Sequence, residues 1–167
     1  MKNPEAQKPL IDHPPQSIWR ISNHADLGGI GGFRKSGRWH TRGAYIVYLS
    51  DSPTGALLET LAHLEIDPED IPEFYTRLKV IIPDGLAVQQ LDPPEETDWK
   101  LNEKLTRSLG DAWLREGKTC LARVPSAIAT EAWNYLLNPE HPDAVQMRIV
   151  AVTKEKYDLR LFRFGQR

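Results

Sequence analysis

The sequence predicts an α+β fold: a single domain with a twisted, mainly antiparallel sheet and flanking helices. Its 167 residues are a length typical of one domain. With 40% hydrophobic and 26% charged residues, the composition is that of an ordinary globular protein. Strand-like and helix-like runs follow one another in mixed order, and this order favours the α+β class.

The N-terminal residues 1–17 are predicted to form a proline-rich arm, and residues 18–167 to form the domain. Apolar and polar residues alternate over Ile18–Ile21, which indicates a strand. Four glycines then fall within Gly28–Gly32, and they predict a loop with unusual backbone angles or a close approach to another part of the chain. The prolines that exclude a regular helix from the arm are Pro4, Pro9, Pro14 and Pro15.

A strand and a helix are predicted next. The run Ala44–Ser50 is rich in β-branched and aromatic residues, so it indicates a buried strand. Ser52 at the N-cap and Pro53 at the first helical position predict a helix start. The helix should reach Leu64, with an apolar stripe at helical spacing made of Leu57, Leu58, Leu61 and Leu64.

The second half of the chain mixes short strands with helical pieces. Strands are predicted over Phe74–Ile82, Leu86–Leu91, Thr119–Val124, Arg148–Val152 and Arg160–Phe164. Helical pieces are predicted from Thr97 through Leu105, over Gly110–Arg115 and, as a short helical or irregular stretch, over Ala127–Leu137. Asn134 and the segment 138–142 are interpreted as turn residues.

Charge and cysteine content exclude some classes of function. The net charge is −2, from 21 basic and 23 acidic residues, so the chain lacks the strong positive field of non-specific nucleic-acid binding. Cys120 is the single cysteine; it fits a reducing compartment and is expected to be a buried thiol. No apolar run resembles a signal or a membrane span, so a cytoplasmic location is expected.

Common catalytic motifs are absent from the sequence. The glycine run follows no clear strand end and opens no evident helix, so it does not match a dinucleotide-binding fingerprint. The five histidines lack metal-ligand spacing, so no metal site is expected. A nucleophile elbow is also absent, although the sequence alone leaves a Ser/His/Asp triad open.

Four residues are candidates for a site, each with a plain structural alternative. Arg38 lies beside Trp39 after the glycine run; it is either a solvated surface residue or an anion clamp. Arg20, in a strand, is either an edge residue or a site residue. Glu59 lies on the flank of its helix among small neighbours, so it faces either solvent or a ligand. Ser126 follows a strand and a proline, where it could simply cap the next segment.

Together these residues resemble the RES domain, named for Arg, Glu and Ser. One departure is His40, where many members have Asn after the Trp, and it concerns only a secondary contact. The matching stretches come in family order over about residues 18–165, and they are Trp19-Arg20, Ser36-Gly37-Arg38-Trp39, Tyr48-Leu49-Ser50, Ala56-Leu57-Leu58-Glu59, Val124-Pro125-Ser126 and Asn134-Tyr135-Leu136-Leu137-Asn138-Pro139-Glu140-His141-Pro142.

The resemblance implies a fold like that of ADP-ribosyltransferases and an activity that destroys NAD⁺ by hydrolysis or phosphorolysis and arrests growth. Some relatives instead transfer ADP-ribose to a protein. It also implies the toxin half of a toxin–antitoxin pair whose partner is an Xre-like helix-turn-helix protein. The resemblance leaves open whether the toxin forms a homo-oligomer within that complex. DNA binding would belong to that partner and not to this chain. A non-catalytic binding module and a ribonuclease toxin are more distant alternatives.

By position, the resemblance carries the family's residues onto Arg20, Arg38, Tyr48, Glu59 and Ser126. The chemistry of NAD⁺ cleavage then suggests roles, with NAD⁺ as substrate and no permanently bound cofactor. Glu59 would face the ribosyl oxocarbenium ion that forms as nicotinamide leaves. Arg20 and Arg38 would hold the pyrophosphate. Aromatic faces for the nicotinamide ring would come from Trp39 and Tyr48, and Ser126 would donate to a phosphate or to the carboxamide.

Overall fold

The computed structural model of the protein describes residues 10–64, 70–95 and 98–162. The described residues contain seven strands and three α-helices. In chain order they are β1 (Ser17–Ile21), α1 (Ile30–Arg34), β2 (Val47–Ser50), α2 (Pro53–Ala62), β3 (Phe74–Ile81), β4 (Val88–Gln90), α3 (Glu103–Glu116), β5 (Leu121–Pro125), β6 (Trp133–Leu137) and β7 (Arg148–Lys156). Short 3₁₀ helices cover Pro142–Gln146 and Leu159–Phe162.

The strands form one seven-stranded sheet in the order β4-β5-β6-β2-β1-β3-β7. The β4–β5 pair is parallel, and the other neighbours pair antiparallel. The predicted α+β class and mainly antiparallel sheet are therefore confirmed. No helix in the described ranges is both long and apolar enough to cross a membrane.

Apolar side chains build two clusters, because successive residues of a strand point to opposite faces of the sheet. On β2, Val47 and Leu49 enter one cluster together with Ile18 of β1. Tyr48, between them, packs against the second cluster, which contains Trp113 of α3. The candidate site residues of β2 therefore lie on the face that α3 covers.

Cys120 has the buried position that the sequence predicts. It is 1% exposed within the first apolar cluster. Burial raises the pKa of its thiol to about 11, so the reactive thiolate is disfavoured at neutral pH.

Helix α2 begins as predicted and packs differently. The Ser52 side chain accepts a hydrogen bond from the Gly55 amide at 3.0 Å, and Pro53 follows it. The expected leucine stripe is not the buried face: Leu58 is 37% exposed, and Ala56 is the buried residue of the helix. Glu59 lies three residues after Ala56, so it is on the same, inward side of the helix.

Helix α3 is continuous, so the prediction of two separate pieces is wrong. Gly110 lies within it, and a Cβ there would fall 1.7 Å from the carbonyl oxygen of Trp39. The glycine therefore marks a close approach between two backbones rather than a helix break. Asn102 caps the first turn by accepting from the Leu105 amide at 3.2 Å.

Three further predictions are wrong. The stretch predicted as helical or irregular contains β6, and Asn134 lies in this strand rather than in a turn. The glycine run does open a helix, the five-residue α1. Residues 160–162 belong to a 3₁₀ helix rather than a strand, while Phe164 lies outside the described residues, as do Thr97 and residues 1–9.

The expectation of an unusual backbone in the glycine run is confirmed. Gly29 has a left-handed φ of +73°, and a Cβ there would lie 2.6 Å from the Ile46 amide nitrogen. The end of the predicted arm is tied to the sheet, since the Ile11 amide donates to the Val88 carbonyl at 2.9 Å.

Candidate active site

The structure joins Glu59 to Ser126, two residues that lie 67 positions apart in the sequence. Glu59 Oε1 accepts a hydrogen bond from Ser126 Oγ at 2.8 Å and another from Asn134 Nδ2 at 2.6 Å. The Glu59 side chain is 23% exposed. It is therefore a held, half-buried carboxylate and not a freely solvated one.

Ser126 has the capping role that the sequence leaves open, and it also contacts Glu59. It is 5% exposed, and its Oγ accepts hydrogen bonds from the Ile128 and Ala129 amides, both at 3.1 Å. That arrangement organises the turn after β5, as a capping serine does. Because the two amides occupy the oxygen as an acceptor, the hydroxyl proton is directed at Glu59.

Asn134 and Ser50 complete this group and were missed as site residues by sequence reasoning. The two face each other across the β2–β6 pair. Ser50 Oγ donates to Asn134 Oδ1 at 2.8 Å. Each stands at a polar position in an otherwise apolar strand, a signal that could have marked them. We call Ser50, Glu59, Ser126 and Asn134 the carboxylate cluster.

The second carboxylate oxygen of Glu59 is less restrained. Among the described residues its contact is His63 Nε2, at 3.9 Å on the next turn of α2. The His63 side chain is 76% exposed. Oε2 is therefore left with this one long contact among the described residues, while Oε1 receives both hydrogen bonds.

Arg38 lies in a second group, which we call the arginine segment (residues 37–41). Its Nη1 donates to the Lys100 carbonyl at 2.9 Å, and its Nη2 lies 3.8 Å from Glu103 Oε1. Glu103 also pairs with Arg107. Two guanidinium groups, of Arg38 and Arg107, thus share the one carboxylate of Glu103, so this trio keeps one net positive charge. The Arg38 side chain is 26% exposed.

Backbone contacts hold the arginine segment against α3. Thr106 Oγ1 donates to the Arg38 carbonyl at 2.6 Å, and Arg107 Nε donates to the Gly37 carbonyl at 2.8 Å. At the far end of the segment, Asp111 accepts from the Thr41 amide at 2.8 Å. The helix therefore fixes the backbone that carries Arg38.

Tyr48 and His40 tie the arginine segment to β2. His40 Nε2 lies 2.9 Å from the Gly32 carbonyl, which can only accept, so Nε2 carries a proton. The Gly37 amide donates to Nδ1 at 3.2 Å, so Nδ1 is an acceptor and takes the Tyr48 hydroxyl proton at 2.8 Å. The same hydroxyl accepts from the Trp39 amide at 3.1 Å.

Both aromatic candidates are largely enclosed. Burial raises the pKa of Tyr48 well above its ordinary value, so its hydroxyl stays protonated as the hydrogen bonds require. Trp39 is 2% exposed and packs in the second apolar cluster, with its ring 6.0 Å from that of Trp99. The ring of Trp39 thus lies in the core.

Arg20 is not brought to the carboxylate cluster. It donates to the Asp26 carbonyl at 2.9 Å, and burial lowers its pKa. Since Trp19 pairs with Ser50 in register, Trp19 shares the face of the carboxylate cluster. Arg20 then shares the opposite face with Ile18.

Strand β2 connects the two groups. Tyr48 holds the arginine segment, and Ser50 belongs to the carboxylate cluster. Both point to the same face, roughly 7 Å apart at about 3.4 Å per residue. A cavity of about 410 Å³ lies elsewhere on the described surface, and its lining, Asp92, Pro93, Glu95, Asp98, Trp99, Lys100 and Pro125, contains no residue of either group.

Comparison with known proteins identifies the family. The model of the RES domain matches residues 17–161. The chain belongs to the RES domain family. The resemblance expected from the ordered motifs is thereby confirmed.

Three relatives of this RES-domain chain have assigned names. A protein named Toxin Res from Pseudomonas putida is 48% identical over 132 residues, which are 79% of this chain and 90% of that protein. The Prs ADP-ribosylating toxin of Sphingobium sp. is 34% identical over 158 residues, 88% of this chain and 97% of that protein. A Toxin Res from Yersinia enterocolitica is 32% identical over 117 residues, 68% of this chain and 74% of that protein.

Proposed function

We propose that this chain is the toxin of a toxin–antitoxin pair and that it depletes NAD⁺ by cleaving the bond between nicotinamide and ribose, so arresting growth. The observation that carries the proposal is the geometry of Glu59. One carboxylate oxygen is fixed by Ser126 and Asn134, and the other has only a long contact, at 3.9 Å, with His63 among the described residues. Relatives named as toxins support the same proposal.

The chemistry of NAD⁺ suits a single carboxylate. Nicotinamide leaves as a neutral molecule with the electron pair of the broken bond, so no general acid is needed, unlike in most glycosidases. Positive charge develops on the ribose, and negative charge fixed beside it lowers the barrier. Water or phosphate then bonds to the anomeric carbon and loses a proton. Glu59 Oε2 would provide the charge.

Arg38 would hold the pyrophosphate. A guanidinium group binds phosphate oxygens in a two-pronged fashion, and the trio formed with Arg107 and Glu103 retains one positive charge. Arg20 would act differently, since its hydrogen bond to the Asp26 carbonyl holds the backbone just before the glycine run. We therefore assign direct contact to Arg38 and an indirect effect to Arg20.

The experiment that tests this proposal is product analysis by mass spectrometry. Purified chain is incubated with NAD⁺, with and without phosphate, beside a Glu59→Gln control. Free nicotinamide with ADP-ribose indicates hydrolysis, and nicotinamide with ADP-ribose 1-phosphate indicates phosphorolysis. Intact NAD⁺ in both reactions would reject the proposal.

ADP-ribosylation of a protein is the second candidate. The name of the Sphingobium relative favours it, because that protein aligns over 97% of its length. The same incubation with cell lysate and NAD⁺ labelled in the adenine separates the two. Label on a protein would favour the transferase, and label in small molecules alone would favour NAD⁺ cleavage. The net charge of −2 gives little support to a ribonuclease.

We further propose an antitoxin that is an Xre-like helix-turn-helix protein and covers the site. A carboxylate of that partner would replace phosphate at Arg38, and the partner would bring DNA binding to the complex. Titrating the antitoxin into the NAD⁺ assay and measuring operator binding of each component tests both parts. Full activity of the saturated complex would contradict occlusion, and sequence-specific binding by this chain alone would contradict the division of roles.

A further inference from the structure

The orientation of the Glu59 carboxylate depends on hydrogen bonds from neighbouring residues. The last torsion of a glutamate side chain has a broad, roughly two-fold preference, so the two oxygens are interchangeable unless neighbours distinguish them. Here both donors, from Ser126 and Asn134, converge on Oε1. The carboxylate is therefore held with Oε1 occupied and Oε2 left with only the long contact to His63 among the described residues.

The Asn134 amide has a defined direction. A carboxylate accepts only, so the amide nitrogen must face Glu59, at 2.6 Å. The amide oxygen then faces the Ser50 hydroxyl, which donates to it at 2.8 Å. This gives a one-way chain of donors from Ser50 through Asn134 to Glu59.

The chain of donors begins at a buried residue on the inner strands of the sheet. Ser50 is 3% exposed and is the register partner of Asn134 on the central β2–β6 pair. Nearby, Asp51 accepts from the Trp133 amide at 3.0 Å, which secures the same end of the pair. The β2–β6 pairing and the Ser50 hydrogen bond thus fix the position of the Asn134 amide that donates to Glu59.

We propose that Asn134, oriented by Ser50, is a positioning residue that fixes the orientation of the Glu59 carboxylate, so that one oxygen stays bound to its donors and the other is left for the substrate. The inference rests on the proposed cleavage of NAD⁺. Asn134 touches Glu59 and not the substrate, so it should govern the rate of the chemical step more than substrate binding. Misplacement of a reacting group by about 1 Å can cost on the order of a hundredfold in rate.

The test uses Asn134→Asp, which keeps the shape and replaces the amide donor by a carboxylate. At pH 8 this variant should lose on the order of a hundredfold in kcat, with KM for NAD⁺ changed by less than about threefold, because the pyrophosphate contacts remain. At lower pH a proton held between the two like-charged carboxylates restores a donor. Activity relative to the parent should then rise, which a purely structural role would not produce.

Among the described residues, Asn134 contacts the ionisable Glu59, which lies near His63 on α2, and Asp51 binds the amide of the neighbouring Trp133. His63→Gln combined with Asn134→Asp therefore controls for titration of the histidine. The exposed Asn23→Asp applies the same chemical change away from these residues and should leave the pH profile as in the parent.

A second pair of variants keeps the inference testable if Asn134→Asp folds poorly. Ser50→Ala removes the first donor and should lower kcat about tenfold, while Ser50→Thr, which keeps the hydroxyl, should restore it. If the parent cleaves NAD⁺ and Asn134→Asp has the same kcat as the parent, the inference is overturned. The same holds if the pH profile of Asn134→Asp equals that of the parent. An inactive parent would instead reject the proposed function.

Discussion

The carboxylate cluster and the arginine segment are held in opposite ways. Glu59 is fixed by side-chain hydrogen bonds from two residues, Ser126 and Asn134. Arg38 lies on a segment fixed through its backbone, by Thr106 and by the close approach of Gly110. In the first group the functional carboxylate is oriented by neutral side-chain donors. In the second, the main chain is placed, and the 26% exposed side chain contacts the Lys100 carbonyl and the carboxylate of Glu103.

This difference matches the two tasks. Charge stabilisation at a developing oxocarbenium ion needs one oxygen at one position. A pyrophosphate has several oxygens and is gripped by long-range charge, which tolerates adjustment of a long side chain. Substitutions in the carboxylate cluster should therefore reduce kcat, and substitutions in the arginine segment should raise KM.

The largest effect is expected from Glu59→Gln, which nearly preserves shape and removes the negative charge. NAD⁺ turnover should fall by about 10²–10³, or roughly 2.7–4 kcal/mol of barrier, while the thermal unfolding temperature stays near that of the parent. Initial rates of nicotinamide release measure it. A rate within about threefold of the parent, roughly 0.65 kcal/mol, would show that Glu59 is not the catalytic group.

The contact between α3 and the arginine segment can be broken at Gly110. A methyl group there would meet the Trp39 carbonyl oxygen at 1.7 Å, so Gly110→Ala should cost about 1–3 kcal/mol of unfolding free energy, typical of overpacking. Denaturant titration measures this. Gly31→Ala is the matched control, because a Cβ there meets nothing within 4 Å; equal loss in both variants would contradict the prediction.

Removing the cation should weaken substrate binding. Arg38→Ala is expected to raise KM for NAD⁺ by an amount equivalent to about 1.5–3 kcal/mol, the value of a hydrogen bond to a charged group, with a smaller change in kcat. Arg115→Ala, at an exposed arginine in the last turn of α3, is the control. Unchanged KM in Arg38→Ala would place the pyrophosphate elsewhere.

The smallest effect is expected at the tie between β2 and the arginine segment. Tyr48→Phe removes the hydroxyl that joins His40 to the Trp39 amide, which should cost about 1 kcal/mol of stability and raise KM only slightly. Thermal unfolding and initial rates measure both quantities. Tyr45→Phe, on a ring that stacks on Phe33, is the control, and a loss of kcat without loss of stability would point to direct catalysis by Tyr48.

Local patterns were sufficient for much of the fold. The Ser52-Pro53 start of α2 was predictable because capping depends on neighbouring residues. The continuity of α3 was not, since the glycine that suggested a break is required by the Trp39 backbone, a contact distant in sequence. The strand β6 was missed because Asn134 looked like a turn residue.

In the candidate site, too, single residues were predictable from the sequence and contacts between distant residues were not. The family motifs indicated Glu59 and Ser126 as residues, but their contact spans 67 positions and depends on where β5 ends relative to α2. The role of Asn134 follows from its register with Ser50, and pairing register between distant strands is not encoded in local propensity. Sequence could therefore name the carboxylate but not the device that orients it.

Calorimetric titration of NAD⁺ into Glu59→Gln, and into the double variant Glu59→Gln/Arg38→Ala, tests the division of roles most directly, because slow turnover leaves NAD⁺ intact during the measurement. The account predicts that Glu59→Gln binds NAD⁺ with a Kd within about threefold of the parent KM, a difference of roughly 0.65 kcal/mol. It predicts that adding Arg38→Ala weakens binding by at least about tenfold, equivalent to 1.36 kcal/mol. Binding that is lost with Glu59→Gln alone, or that survives unchanged in the double variant, would contradict it.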